Sequence, residues 1–160
     1  MKDECFGDDL LSVLNNFSKK SNFQCIKSVY TPESFGNAYL ILAGSDFDIL
    51  VTRDRGQIQL KIGPRDYGSA YSRNLEKLKT NPTTNVLEWQ KLSENWRPLE
   101  IVAEFLSLLP KEGNNLPQAI VSMSQIIRIL EDNYDLISEF IRTKAFSDEF
   151  LNFARKRNIW

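Results

Sequence analysis

The chain has 160 residues, with 20 Lys and Arg against 21 Asp and Glu, a formal net charge of -1 and 42% apolar residues. That length and apolar content suffice for one globular domain with a full core, and the balanced charge excludes a global basic field for nucleic acid. Histidine is absent, which excludes Ser-His-Asp and Cys-His catalysis, His-ligated metals and the usual proton shuttle at neutral pH.

The first ten residues lack a basic segment followed by an apolar run, so no secretory leader is expected and the location expected is cytoplasmic. No apolar run approaches the roughly 18 residues that span a bilayer, so no membrane partner is expected either. Cys5 and Cys25 then read as two reduced thiols. Asp8 and Asp9 precede Leu10, Val13, Leu14 and Phe17, the spacing of a short amphipathic helix with acids in its first turn and Lys19-Lys20 at its far end.

Four strands are predicted next. Phe23–Thr31 is the first, ended by Pro32. Ala38–Ala43 alternates Tyr39, Ile41 and Ala43 with Leu40 and Leu42, so both of its faces are apolar and both should be covered. In Phe47–Arg53, Phe47, Ile49 and Val51 share one face, and Asp48, Leu50 and Thr52 the other. In Gln57–Ile62, Ile58, Leu60 and Ile62 share a face while Gln57, Gln59 and Lys61 face water. Gly44-Ser45 and Asp54-Arg55-Gly56 are the turns between these runs, and connections so short force antiparallel neighbours.

Gly63-Pro64 stops the last strand, and residues 65–84 read as a long connection. The period then becomes helical. Asn85 and Glu88 start a helix with Val86, Trp89 and Leu92; Pro98 starts another with Leu99, Val102, Phe105, Leu106 and Leu109, ended by Pro110. Ile120, Met123, Ile127, Leu130, Tyr134, Ile137 and Ile141 recur at steps of three and four, with a break expected at Asp132-Asn133. Ser147 caps a last helix that ends in Arg155-Lys156-Arg157, a dipole complement on a solvated surface or, alternatively, an anion patch. Strands first and helices second indicate α+β: an antiparallel meander of about four strands with a helical C-terminal half packed on it. One domain is expected over 1–160, with 1–63 supplying a helix and the sheet and 85–160 the helical half.

The candidate functional residues are polar or aromatic side chains on these elements. Asp46, Asp48 and Asp54 cluster in sequence; a solvated strand face and a turn explain them, and an oxygen-only Mg²⁺ site is the alternative. Arg53, Asp54 and Arg55 sit at a hairpin tip, where guanidinium and carboxylate give directional contacts to a protein. Tyr67 and Tyr71 are candidate interface aromatics. No P-loop, GxGxxG, GxSxG or zinc spacing occurs, so catalytic, cofactor-binding and metal residues are expected to be absent.

The run Phe35-Gly36-Asn37-Ala38-Tyr39-Leu40-Ile41-Leu42, followed by Ile49-Leu50-Val51-Thr52-Arg53-Asp54-Arg55-Gly56-Gln57-Ile58, resembles a recurring pattern in immunity proteins of bacterial polymorphic toxin systems, including contact-dependent growth inhibition. Trp96-Arg97-Pro98-Leu99-Glu100, entering Phe105-Leu106, resembles the helix start of the same proteins. The resemblance covers about residues 35–62 and 96–109. It implies a cytoplasmic, non-catalytic inhibitor whose partner is a cognate toxin domain, commonly a nuclease, bound without direct contact to nucleic acid. A small phosphodiesterase using carboxylates and a metal, or an adaptor subunit of another complex, are the alternatives.

Overall fold

A computed structural model describes residues 16–17, 19–20, 22–31, 37–54, 57–80, 95–109 and 123–157. Five antiparallel strands lie in sequence order: β1 Gln24–Thr31, β2 Asn37–Ala43, β3 Phe47–Asp54, β4 Gln57–Pro64 and the two-residue β5 Arg97–Pro98. The helices are α1 Tyr67–Thr80, α2 Leu99–Phe105, α3 Met123–Asp132, α4 Tyr134–Thr143 and α5 Asp148–Arg155. This is the expected α+β arrangement, an antiparallel sheet followed by helices. The helices predicted at Asp8–Lys20 and from Asn85 fall largely or wholly outside the described residues, as do Cys5, Pro110 and Ile120.

Register converts alternation into layers. Leu40 pairs with Val51 and Leu42 with Ile49, and Ile49 and Val51 pair in turn with Ile62 and Leu60. These side chains form one face, buried with Val102, Ile127, Ile137 and Phe150 of the C-terminal helices. Ile41 pairs with Leu50 on the opposite face, where they join Trp96 in a second cluster covered by Tyr39, Tyr67 and Tyr71. Both faces of β2 are therefore covered, as its two-sided apolar pattern requires.

Two expectations are corrected. Residues 65–84 are not a loop throughout: Tyr67–Thr80 is a helix that closes the second face. Its pattern is weak because Tyr67, Gly68 and Tyr71 meet the sheet with aromatics and a glycine instead of an aliphatic stripe. A fifth strand was also missed. Arg97 and Pro98 pair with Ile62 and Lys61, and two residues are too few to alternate.

Helix ends follow ordinary capping chemistry. The Ser147 hydroxyl accepts from Phe150 N at 3.2 Å, with Asp148 and Glu149 in the first turn of α5. The break between α3 and α4 falls at Asn133, whose side-chain amide donates to Ile129 O at 3.0 Å instead of capping α4. At the end of α2, Leu108 N bonds to Ala103 O at 2.7 Å and Ser107 N to Glu104 O at 3.1 Å. That Schellman pattern places Ser107 at φ 59°, where glycine is usual. Among the described residues no helix is long and apolar enough to cross a membrane.

Candidate functional site

An open cleft of about 550 Å³ lies at one end of the sheet. Its lining comes from the β2–β3 turn (Asp46), the end of β4 and the residue after it (Pro64, Arg65), α4 (Asp135, Ser138, Glu139, Ile141, Arg142) and Phe146. Carboxylates stand at Asp46, Asp135 and Glu139, and guanidinium groups at Arg65 and Arg142. Apolar spacing on α4 explains this side of the helix. Ile137, Phe140 and Ile141 are buried and carry it against the core, so Asp135 and Glu139, one turn apart, stay exposed.

Asp46, Glu139, Arg142 and Phe146 of the lining each have a partner in the fold. The Tyr134 hydroxyl donates to Asp46 Oδ2 at 2.7 Å, while its ring lies 5.2 Å from that of Phe47. Burial first, and then the Asp46 hydrogen bond and charge, push the Tyr134 phenol up to about 12, so it remains a donor across the neutral range. Arg142 pairs with Glu139 one turn away. Phe146 is 46% exposed, yet its ring covers the Arg97 guanidinium at 4.8 Å from the ring centroid. Arg97 itself is 3% exposed and donates from Nε to Ala145 O at 2.8 Å. Burial lowers the Arg97 pKa, with the nearby Tyr67 acting in the opposite direction.

The sequence-predicted residues are dispersed. Asp46 lines the cleft. Arg53 and Asp54 end the same strand eight residues in length, so the hairpin tip lies on the order of 25 Å away. Arg53 is half-buried; the Asp54 side chain and Arg55 lie outside the described residues. Tyr67 and Tyr71 do come together, at 6.3 and 5.9 Å from the Trp96 ring. Tyr67 accepts from Asn95 Nδ2 at 2.8 Å, and Tyr71 stacks edge-on to Tyr39. These tyrosines are half-buried and cover the second core.

Asp48 is not on a solvated strand face. It is 1% exposed and accepts from Gly68 N at 2.7 Å and Gly44 N at 3.2 Å. Gly68 is in the first turn of α1, which has no acid of its own there. Asp48 thus caps α1 from the sheet, meeting amide groups that the helix cannot satisfy itself. Burial raises its pKa above the ordinary carboxylate value; the amides of Gly68, Gly44 and Asp66 oppose the rise and the Asp66 charge adds to it. Asp46 and Asp48 therefore serve different partners and do not converge. Among the described residues no group of three or more His, Cys, Asp or Glu side chains could hold a metal ion.

Sequence reasoning missed Asp135, Glu139, Phe146 and Arg97. The solvent face of α4 was legible as the complement of its apolar stripe. The juxtaposition of that face with Asp46 was not, because the two are about 90 residues apart in the chain. At the end of α5, Arg157 pairs with Glu104 at 2.6 Å and lies 3.6 Å over Phe153, while Arg155 and Lys156 are exposed. Cys25 is a free, exposed thiol. Compared with known proteins, no family model, curated protein or solved structure matches the chain.

Proposed function

We propose that this protein is an immunity protein: a cytoplasmic binding protein that neutralises a cognate toxin domain, commonly a nuclease, as a stoichiometric complex. One observation carries the reading. The segments that bear the family resemblance fold as a single unit. β2 pairs with β3 and β3 with β4. β4 then pairs with β5, from which Pro98 leads directly into α2. The pattern of residues is thus one continuous scaffold, and not unrelated stretches. The chemistry of the cleft agrees with it: opposed charges beside an exposed aromatic suit a protein partner. The carboxylate-metal alternative would need Asp46 and Asp48 in one cavity, and they face different surroundings.

Co-expression with the toxin domain encoded beside this chain is the test. The expected result is survival of the cell and a complex that persists through gel filtration, with affinity of about 1 nM or tighter and an interface of at least about 1,200 Å². Cell death despite folded inhibitor, or separate elution of the two proteins, refutes the proposal.

A further inference from the structure

The immunity reading leaves open which surface meets the toxin; the inference here rests on that reading and adds the surface. We propose that the cleft between the β2–β3 turn and α4 is the toxin-docking site. Its occupant is a protein segment that presents a Lys or Arg beside an apolar side chain, with Phe146 as the anchor.

The occupant's chemistry follows from the lining. Three carboxylates face two guanidinium groups there. Glu139 pairs with Arg142, which leaves Asp46 and Asp135 against Arg65 alone, a balance that favours a cation near the two aspartates. Phosphate is a poor occupant beside three carboxylates, and a bare metal ion is a poor one beside two guanidinium groups. The apolar part of the wall, Pro64, Ile141 and Phe146, gains only if an apolar group covers it. A polypeptide supplies both kinds of group on neighbouring side chains.

Preorganisation also favours this cleft. A large aromatic left 46% exposed usually costs conformational entropy when it is captured. Phe146 already has a partner on its inner side. Arg97, buried beneath it, bonds to the carbonyl of the preceding Ala145 and faces the Phe146 ring. The turn is tied on both sides: Ala145 N bonds to Phe140 O at 2.9 Å and Ser147 N to Lys144 O at 3.0 Å. Asp46 is likewise aimed by Tyr134. Side chains held this way are suited to be interface hot spots, because little ordering remains to be done on binding. Arg97 acts here as a positioning residue.

The experiment measures affinity for the adjacent toxin domain with four versions of the full chain, each checked for an unchanged melting profile. Asp135→Lys with Glu139→Lys reverses charge on the exposed side of α4. Phe146→Leu keeps an apolar cover on Arg97 but removes the ring. Arg73→Glu, on exposed α1 surface, is the control beside wild type. The expected result is a loss of about 30-fold or more for each cleft variant and under about 3-fold for the control. A Lys- or Arg-to-Glu change on the toxin should restore binding to the double-lysine variant and to no other. If wild type protects and the cleft variants bind as wild type does, the docking site is wrong and the immunity reading stands. If wild type neither protects nor binds, both fall.

Discussion

Gly68→Ala tests how closely α1 lies on the sheet. Alanine is favoured over glycine within a helix by about 1 kcal/mol, so an open site would gain stability. This site is closed. An added Cβ would overlap the Ile41 Cγ2 methyl and fall 2.9 Å from Asp48 Oδ2. Ile41 is fully buried and β-branched, so its methyl has no alternative rotamer to occupy. Overpacking of this kind costs about 1–3 kcal/mol. Displacing α1 to relieve it also stretches the 2.7 Å bond from Gly68 N to Asp48, and bonds to charged groups are worth about 1.5–3 kcal/mol. The two losses exceed the propensity gain, and the net expectation is destabilisation by about 2 kcal/mol. For a chain of this size that lowers the melting temperature by roughly 4–8 °C. Urea unfolding followed by circular dichroism reads it directly. Gly68→Ala should cost about 1 kcal/mol less in an Ile41→Ala background than in wild type, the coupling that a double-mutant cycle reads. A Gly68→Ala variant at least as stable as wild type would mean that the close approach of α1 to Ile41 and Asp48 is incorrect.

Four further outcomes follow from contacts elsewhere in the fold. Asp48→Ala strands the Gly44 and Gly68 amides and should cost about 2–4 kcal/mol in chemical denaturation; a loss below about 1 kcal/mol would contradict its capping role. The raised Asp48 carboxyl binds its proton more tightly in the folded chain than in the unfolded one. Its contribution to stability is therefore full below about pH 4, the ordinary carboxylate value, and is lost as pH rises through the higher folded-state value. Asp48→Asn removes that titration, so wild type should gain on the variant as pH falls through this window, and a difference constant with pH argues against it. Tyr134→Phe keeps the ring contacts with Phe47 but loses the bond to Asp46, for about 0.5–1.5 kcal/mol; the phenol absorbance of wild type minus that of the variant should titrate near pH 12, and a midpoint near 10 in that difference would show that burial and Asp46 do not act on Tyr134. Ser107→Gly relieves a positive φ at the end of α2 and should raise stability by about 0.5–1 kcal/mol in the same assay, whereas a loss would indicate that the hydroxyl matters there.

Much of the fold was legible because strand alternation is a local signal. Leu40 with Leu42, Ile49 with Val51, and Leu60 with Ile62 each share a strand face by parity, and the short turns required antiparallel neighbours; the register then joins the three pairs on one face. The Ser147 cap was legible for a similar reason, since capping chemistry acts over three or four residues; the break before α4 was legible because Asp132 and Asn133 are poor helix-interior residues, although Asn133 makes no side-chain cap on α4. What parity could not decide is what covers each face. Asp48 alternates like a solvent residue, yet it is buried because α1 returns across it and places the Gly68 amide within bonding distance. Tyr67 and Tyr71 read as interface aromatics from the sequence, and the fold places both over Trp96.

The candidate site divides along the same line. Asp46 was visible as a turn residue, and the charged side of α4 as the complement of an apolar stripe. Their meeting at one cleft with Phe146 depends on contacts such as Tyr134 to Asp46 and Arg97 to Ala145, between residues far apart in the chain. Alternation and capping bind neighbours and can be read from residue order. A cleft is set by where whole elements dock, and only the packed tertiary structure decides that.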